Sequence, residues 1–191
     1  MQSIRIILDD HRSLTAVMHG MLRLIRDVRL CGAAPDFEAF ESMTRYLDAF
    51  VERFHHPKED LYLFRCLRAR HGDSGELLDR LHAEHGDGSA MLRELEAALA
   101  DYKTNGEFTP FAQAAQAYAA FHYAHMRAED DEVLPLARLH LRPSDWREID
   151  DGLTGRADAR LRVAAHESDE LFRRVVAVTP PPLGKRRARS P

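Results

Sequence analysis

The stretch that decides the fold is Phe54-His55-His56-Pro57-Lys58-Glu59-Asp60-Leu61-Tyr62-Leu63-Phe64. It returns 70 residues later as His122-Tyr123-Ala124-His125-Met126-Arg127-Ala128-Glu129-Asp130-Asp131-Glu132-Val133-Leu134-Pro135, with His55 over His125 and Glu59 over Glu129. Each copy reads His-x-x-x-Glu, then an acid, then an apolar exit. Four residues of α-helix turn the chain by about 400° and advance it about 6 Å. The imidazole and the carboxylate therefore lean from one face, a turn apart. Two such helices face to face offer two His and two Glu to a shared interior point.

Outward from these repeats, every periodic segment steps by three and four. Ile4, Ile7, Leu8, His11, Leu14, Met18, Met21, Leu22 and Ile25 predict a first helix over about 3–28. Asp36 is the expected N-cap of a second, over 37–70, with a kink at Pro57 because proline lacks a donor and crowds the carbonyl of Arg53. Asp73 and Glu76 suggest a capping box for a third helix, whose seam is Leu78, Leu81, His85, Gly88, Leu92, Leu95 and Leu99. Thr109-Pro110 would open a fourth carrying Phe111, Tyr118, His125, Glu129 and Val133, with Pro135 as a kink or its end. A short fifth helix starts near Pro143, breaks at Gly155, and gives way to an amphipathic helix over about 156–178. No stretch alternates like a strand. The predicted architecture is all-α: an antiparallel up-down four-helix bundle over 1–140, a C-terminal helical extension over 141–179, and a Pro-rich basic tail over 180–191.

Composition sets the class. The chain has 191 residues, 45% hydrophobic and 30% charged, a globular balance. Net charge is -4; without the four cations Lys185, Arg186, Arg187 and Arg189 it is -8, which argues against nucleic acid as a partner of the folded part. No apolar run spans a bilayer and no secretion signal opens the chain, so a cytoplasmic location is expected. Two cysteines, Cys31 and Cys66, make neither a disulfide framework nor a thiolate site.

The inward stripes carry His11, His55, His85 and His125, with Glu59 and Glu129. One such His alone reads as a hydrogen-bonded core imidazole. Two buried carboxylates without inward Lys or Arg are costlier, and the stripes show no such cation. Six groups in a repeated arrangement call for metal. Mixed imidazole and carboxylate suits iron, zinc or manganese, and six ligands suit two ions with each Glu shared. A ferritin-like site would need Glu-x-x-His on two helices, and Ala119 stands where the second Glu belongs.

His, His-x-x-x-Glu, His, His-x-x-x-Glu on four helices resembles the hemerythrin-like family, the HHE cation-binding domain, over residues 1 to about 140; Asp145-Trp146 also resembles an extension seen in some members. The resemblance implies a non-haem di-iron centre held by His11, His55, Glu59, His85, His125 and Glu129, with dioxygen or a related small ligand as its partner. Oxygen carriers have a further His four residues away on the third helix, where this chain has Leu81 and Ser89. His82, His122 and His56 are the candidates for a fifth imidazole, each equally readable as a boundary residue, and His56 best read so. Gly88 suggests space beside the metals, or close helix packing. His19, His71, His140 and His166 read as ordinary.

Three functions remain: binding or sensing of dioxygen, nitric oxide, peroxide or iron; an enzyme of peroxide or nitric oxide turnover or iron-sulfur cluster repair; or a bundle without metal. Without an attached output module, a sensor would need a protein partner or a homodimer. Cluster-repair relatives usually carry an N-terminal cysteine segment, which is absent before the first helix, so repair is the weaker enzymatic reading.

Overall fold

The computed structural model describes residues 2–154 and 159–178. Six helices account for nearly all of them, and no strand occurs among the described residues. Helix α1 is Gln2–Cys31, and its buried stripe includes Ile4, Ile7, His11, Leu14, Met18, Met21 and Ile25. Helix α2 runs without a break over 37–70, capped by the Asp36 carboxylate, which accepts from the Ala39 N–H at 3.1 Å. Helix α3 is Gly75–Asn105 and closes on Gly106, whose φ of +79° suits a residue without Cβ. Helix α4 covers 108–140, α5 is Pro143–Leu153 and α6 is Ala159–Val178. The expected break at Gly155, the start of the last helix at Arg156 and the basic tail lie outside the described residues.

Two expected starts are displaced. The capping box of Asp73 and Glu76 does not form: α3 begins after Ser74, whose hydroxyl instead donates to the His71 carbonyl at 2.6 Å. Helix α4 begins at Phe108, so Pro110 sits inside its first turn, where the missing N–H has no helical acceptor to lose.

Pro57 does not end α2. The strain is relieved by widening, with π-helical turns over Asp48–His55 and Glu59–Phe64. The His56 N–H reaches back five residues to the Val51 carbonyl. The same device precedes Pro135: Glu129–Val133 is π-helical, and the Leu134 N–H bonds to the Glu129 carbonyl. A proline that cannot join a four-residue ladder is accommodated by a looser one. Both wide turns fall on the His-x-x-x-Glu repeats.

Contacts run from α1 to α2, α2 to α3, α3 to α4 and α4 back to α1, while α5 covers α1 and α2 and α6 lies along α2. The apolar core is in two parts. One gathers Leu14 to Ile25, Phe40 to Val51, Leu92 to Tyr102 and Phe111 to Ala119; the other gathers Ile4, Ile7, Leu63 to Leu67, Leu78, Leu81 and Val133 to Ala137, closed by Trp146, Ile149 and Leu153 of α5. Each fully buried Leu, Ile or Phe contributes about 1.5–3 kcal/mol. Between the two parts lies a slab of buried polar side chains.

Helix α5 is tied down at both ends. Asp145 accepts both Arg70 guanidinium bonds at 2.7 Å and the Arg142 N–H at 2.9 Å, while Asp150 accepts the Ser3 N–H at 2.8 Å. Its Gly152 lies on the Tyr62 ring: a Cβ there would sit 2.4 Å from the ring carbons, including the one nearest the backbone. Gly152→Ala is therefore expected to cost about 1–3 kcal/mol through overpacking. Urea denaturation would measure it, and an unchanged midpoint would show that Tyr62 can move aside.

Candidate metal centre

The polar slab holds His11 from α1, His55, His56, Lys58 and Glu59 from α2, His85 from α3, and His122, His125 and Glu129 from α4, all buried. The structure brings together all six residues of the predicted set. Ligand atoms of His11, His55, Glu59 and Glu129 lie within 4.8 Å of one another, and a second group of His56, His85 and His125 meets the same limit.

The two carboxylates join these groups. Glu59 places Oε1 3.8 Å from His11 Nε2 and 3.5 Å from His55 Nε2, and Oε2 3.9 Å from His85 Nε2. Glu129 places Oε2 3.2 Å from His11 Nε2, and Oε1 3.5 Å from His125 Nε2 and 4.0 Å from His85 Nε2. Most of these separations are too long for good hydrogen bonds. They approach the edges, about 3.0–3.4 Å, of a coordination polyhedron built on bonds of about 2.1 Å. The inward Nε2 of all four His and all four carboxylate oxygens lack hydrogen-bond partners. A buried polar atom left unpaired costs about 1–3 kcal/mol. Eight such atoms converging on one place fit metal ions, and the imidazole-rich mixture fits iron, zinc or manganese rather than calcium.

Sequence reasoning missed what holds the four imidazoles. His55 Nδ1 faces Asp10 Oδ2 at 3.4 Å, His85 Nδ1 faces Asp60 Oδ2 at 3.1 Å, His125 Nδ1 faces Glu84 Oε2 at 2.8 Å, and His11 Nδ1 faces Asp130 Oδ1 at 2.9 Å. Each helix thus lends a carboxylate to the imidazole of the next, and α4 returns one to α1. A carboxylate only accepts, so Nδ1 is the side that offers a proton to it, and Nε2 is turned inward. The signal was present: an acid follows each Glu of the repeats and another precedes His11 and His85.

The expectation that no cation is buried needs correction. Lys58 is fully buried, with Nζ 2.8 Å from Asp10 Oδ2 and 3.7 Å from the Phe54 ring centroid. Its partner is Asp10, so it does not compensate the central pair Glu59 and Glu129.

The three candidates for a fifth imidazole separate. The His82 side chain is 68% exposed, its Nδ1 3.0 Å from Asp60 Oδ1; it forms a third group with Asp60 and His85 on the exposed side of the slab. His122 is buried but belongs to neither group; Gly88 makes room for its ring, since a Cβ would sit 3.1 Å from Cε1. The space at Gly88 is filled by packing and does not open beside the centre. His56, expected at the boundary, is buried, because a π turn rotates less per residue than an α turn and brings consecutive His55 and His56 both inward. Its ring nonetheless stacks on His85, centroids 3.9 Å apart at 12°. A metal bound by both would have to lie in two nearly parallel ring planes at once, so this arrangement makes His56 a neighbour of His85 and not its co-ligand. Cys66 packs in the lower apolar cluster, and His71 and His140 stack on each other away from the slab.

The charges follow the geometry. Burial pushes His11 down, but Asp130, Glu129 and Glu59 outweigh it and hold His11 well above the usual imidazole range. Burial also opposes His125, which Glu129 and Glu84 raise to about 9. Burial raises Glu129, yet His11 and His125 hold it well below the usual carboxylate range. The slab attracts positive charge, which a divalent cation would supply. His56 and His122, lowered by burial and by neighbouring imidazoles, the latter to about 3, are neutral.

A family model, the hemerythrin HHE cation binding domain, matches residues 2–137. No curated protein and no solved structure matches the chain. No helix among the described residues is long and apolar enough to cross a membrane. Matched over most of its length by that model, the chain belongs to the hemerythrin HHE cation-binding family.

Proposed function

We propose that this protein holds two iron ions and uses them to bind or sense a small ligand: dioxygen, nitric oxide or peroxide. His11 and His55 would hold one ion and His85 and His125 the other, with Glu59 and Glu129 available to both. The observation that carries this reading is the division of each carboxylate, one oxygen toward each imidazole pair. Two imidazoles and two carboxylate oxygens would offer each ion four protein donors, which would leave room for an exogenous ligand. Zinc and manganese are the substitutes. Bound iron supplies redox and ligand-binding chemistry; the chain fixes the imidazoles through the ring of carboxylates and walls them off with two apolar clusters. The enzyme of peroxide or nitric oxide turnover is the alternative, and the cleft described below favours its peroxide form.

The same reading makes 1–140 an antiparallel up-down four-helix metal-binding bundle, 141–179 a helical addition and 180–191 a basic tail. Each core cluster supports it, since each joins the start of one helix to the end of the next. A cytoplasmic location, with a protein partner or a second copy as the output of a sensor, belongs to the same proposal.

Protein reconstituted anaerobically is expected to hold two iron ions per chain, and chelation should lower its melting temperature. Retention of none, or of a single zinc in preference, would sink the reading.

A further inference from the structure

Beside the His85 half of the centre, α2 and α3 part to leave a cleft of about 250 Å³. His56 and His85 form its floor, Glu52 and Ser89 one wall, and His82 and Gly86 its mouth. All lining residues except Pro57 and Gly86 carry polar side chains.

Two features mark it as more than a gap between helices. The first is unmet hydrogen bonding. Ser89 donates to Glu52 Oε2, which fixes the carboxyl group and leaves Oε1 buried without a partner. His56 Nδ1 is also unpartnered, 4.0 Å from Glu52 Oε2, too far for a direct bond and suited to a bridging molecule. His56 is only 4% exposed, so bulk solvent does not satisfy it. The second is Gly86. A glycine inside a helix costs about 1 kcal/mol relative to alanine. Gly88 has a steric reason in His122, but a Cβ on Gly86 would meet nothing within 4 Å, and its φ is not left-handed. Gly86 lines the exposed side of the cleft, where a long side chain would reach across the opening.

We propose that this cleft is the approach by which the exogenous ligand reaches the His85–His125 half, and that it takes small molecules which both donate and accept hydrogen bonds, of the hydrogen peroxide type, ahead of apolar diatomics such as dioxygen. The proposal rests on the buried cluster being a metal centre. A protic molecule replaces its lost hydration with Glu52 Oε1, Ser89 and His56 along the way, whereas an apolar one gains nothing from such a lining.

The test is Gly86→Leu, which fills the mouth while restoring helix propensity, together with Ser89→Ala, which frees the Glu52 carboxyl. Deuterium exchange at the imidazole Cε1–H, read by mass spectrometry, needs no metal: His56 should slow several-fold in Gly86→Leu while His11 does not change. In the reduced, iron-loaded protein, the visible spectral change with hydrogen peroxide should slow several-fold in Gly86→Leu, and in Ser89→Ala by up to roughly tenfold, the worth of a hydrogen bond. The change with dioxygen should slow less than that with peroxide in both variants, and the iron content should not move. Unaltered exchange and unaltered peroxide rate would overturn the route; equal slowing of peroxide and dioxygen would overturn the selection. Should the chain hold no iron, the exchange still decides whether the cleft opens on His56, and the failure lies with the metal reading.

Discussion

Glu59→Ala and Glu129→Ala are each expected to abolish retention of the metal pair, whereas His56→Ala retains it. The asymmetry comes from how the side chains face the centre. Each Glu directs one oxygen at each imidazole pair, so on the proposed two-ion reading its removal would take a donor from both ions at once. His56 stacks on His85 and takes its place in the cleft floor. Removing an outer hydrogen-bond partner of a metal ligand costs roughly 10–100-fold in affinity. Glu84→Ala, which removes the acceptor of His125 Nδ1, should fall in that range, and the two central Glu variants well beyond it. Competition with a chromophoric chelator would rank the four proteins, with helix content of the metal-free forms as the control for folding. Metal loss in His56→Ala equal to that in Glu59→Ala would show that His56 swings into the ligand set, and would replace the four-imidazole centre with one of five.

The helices and the six inward groups were legible because both depend on local periodicity. His11, Leu14, Met18 and Met21 declare a face whatever they meet, and a Glu one turn from a His shares it. What escaped the sequence depended on departures from that period or on packing between helices. Pro57 was correctly seen as incompatible with an α-helical ladder, but a kink and a run of π turns relieve the same clash, and only the second turns His56 inward. The uniform rotation of an α-helix had placed His56 and Lys58 off the interior face. The acids after Glu59 and Glu129 were visible as part of the repeats, yet their role as holders of His85 and His11 needs the register between neighbouring helices. Gly88 failed for a related reason: a missing side chain leaves space only when no residue of the facing helix fills it, and His122 does.

Lys58→Met should destabilise the fold by about 3–5 kcal/mol, the cost of stripping the partner from a buried charge. Lys58 is the cation that sequence reasoning did not find, fully buried between Pro57 and Glu59 and pointing at α1. Methionine fills much the same volume, so the loss is one of charge rather than of packing. What remains is Asp10, with a side chain 16% exposed and only the weak 3.4 Å contact to His55 Nδ1. Burial pushes the Asp10 carboxyl up, but His55 and Lys58 more than offset it and hold its pKa below 3.8. The sign follows from that direction: the stabilisation is complete above pH 3.8 and lost as pH falls through the lower folded value, so the penalty of Lys58→Met should shrink only in acid. Adding Asp10→Asn to Lys58→Met should recover part of the loss, because a neutral amide is cheaper to bury alone than a carboxylate. A double-mutant cycle by urea denaturation of the metal-free proteins isolates the pair from its effect on metal. Strict additivity of the two substitutions would mean that Asp10 and Lys58 do not sense each other, and that the lysine is held by the Phe54 ring alone.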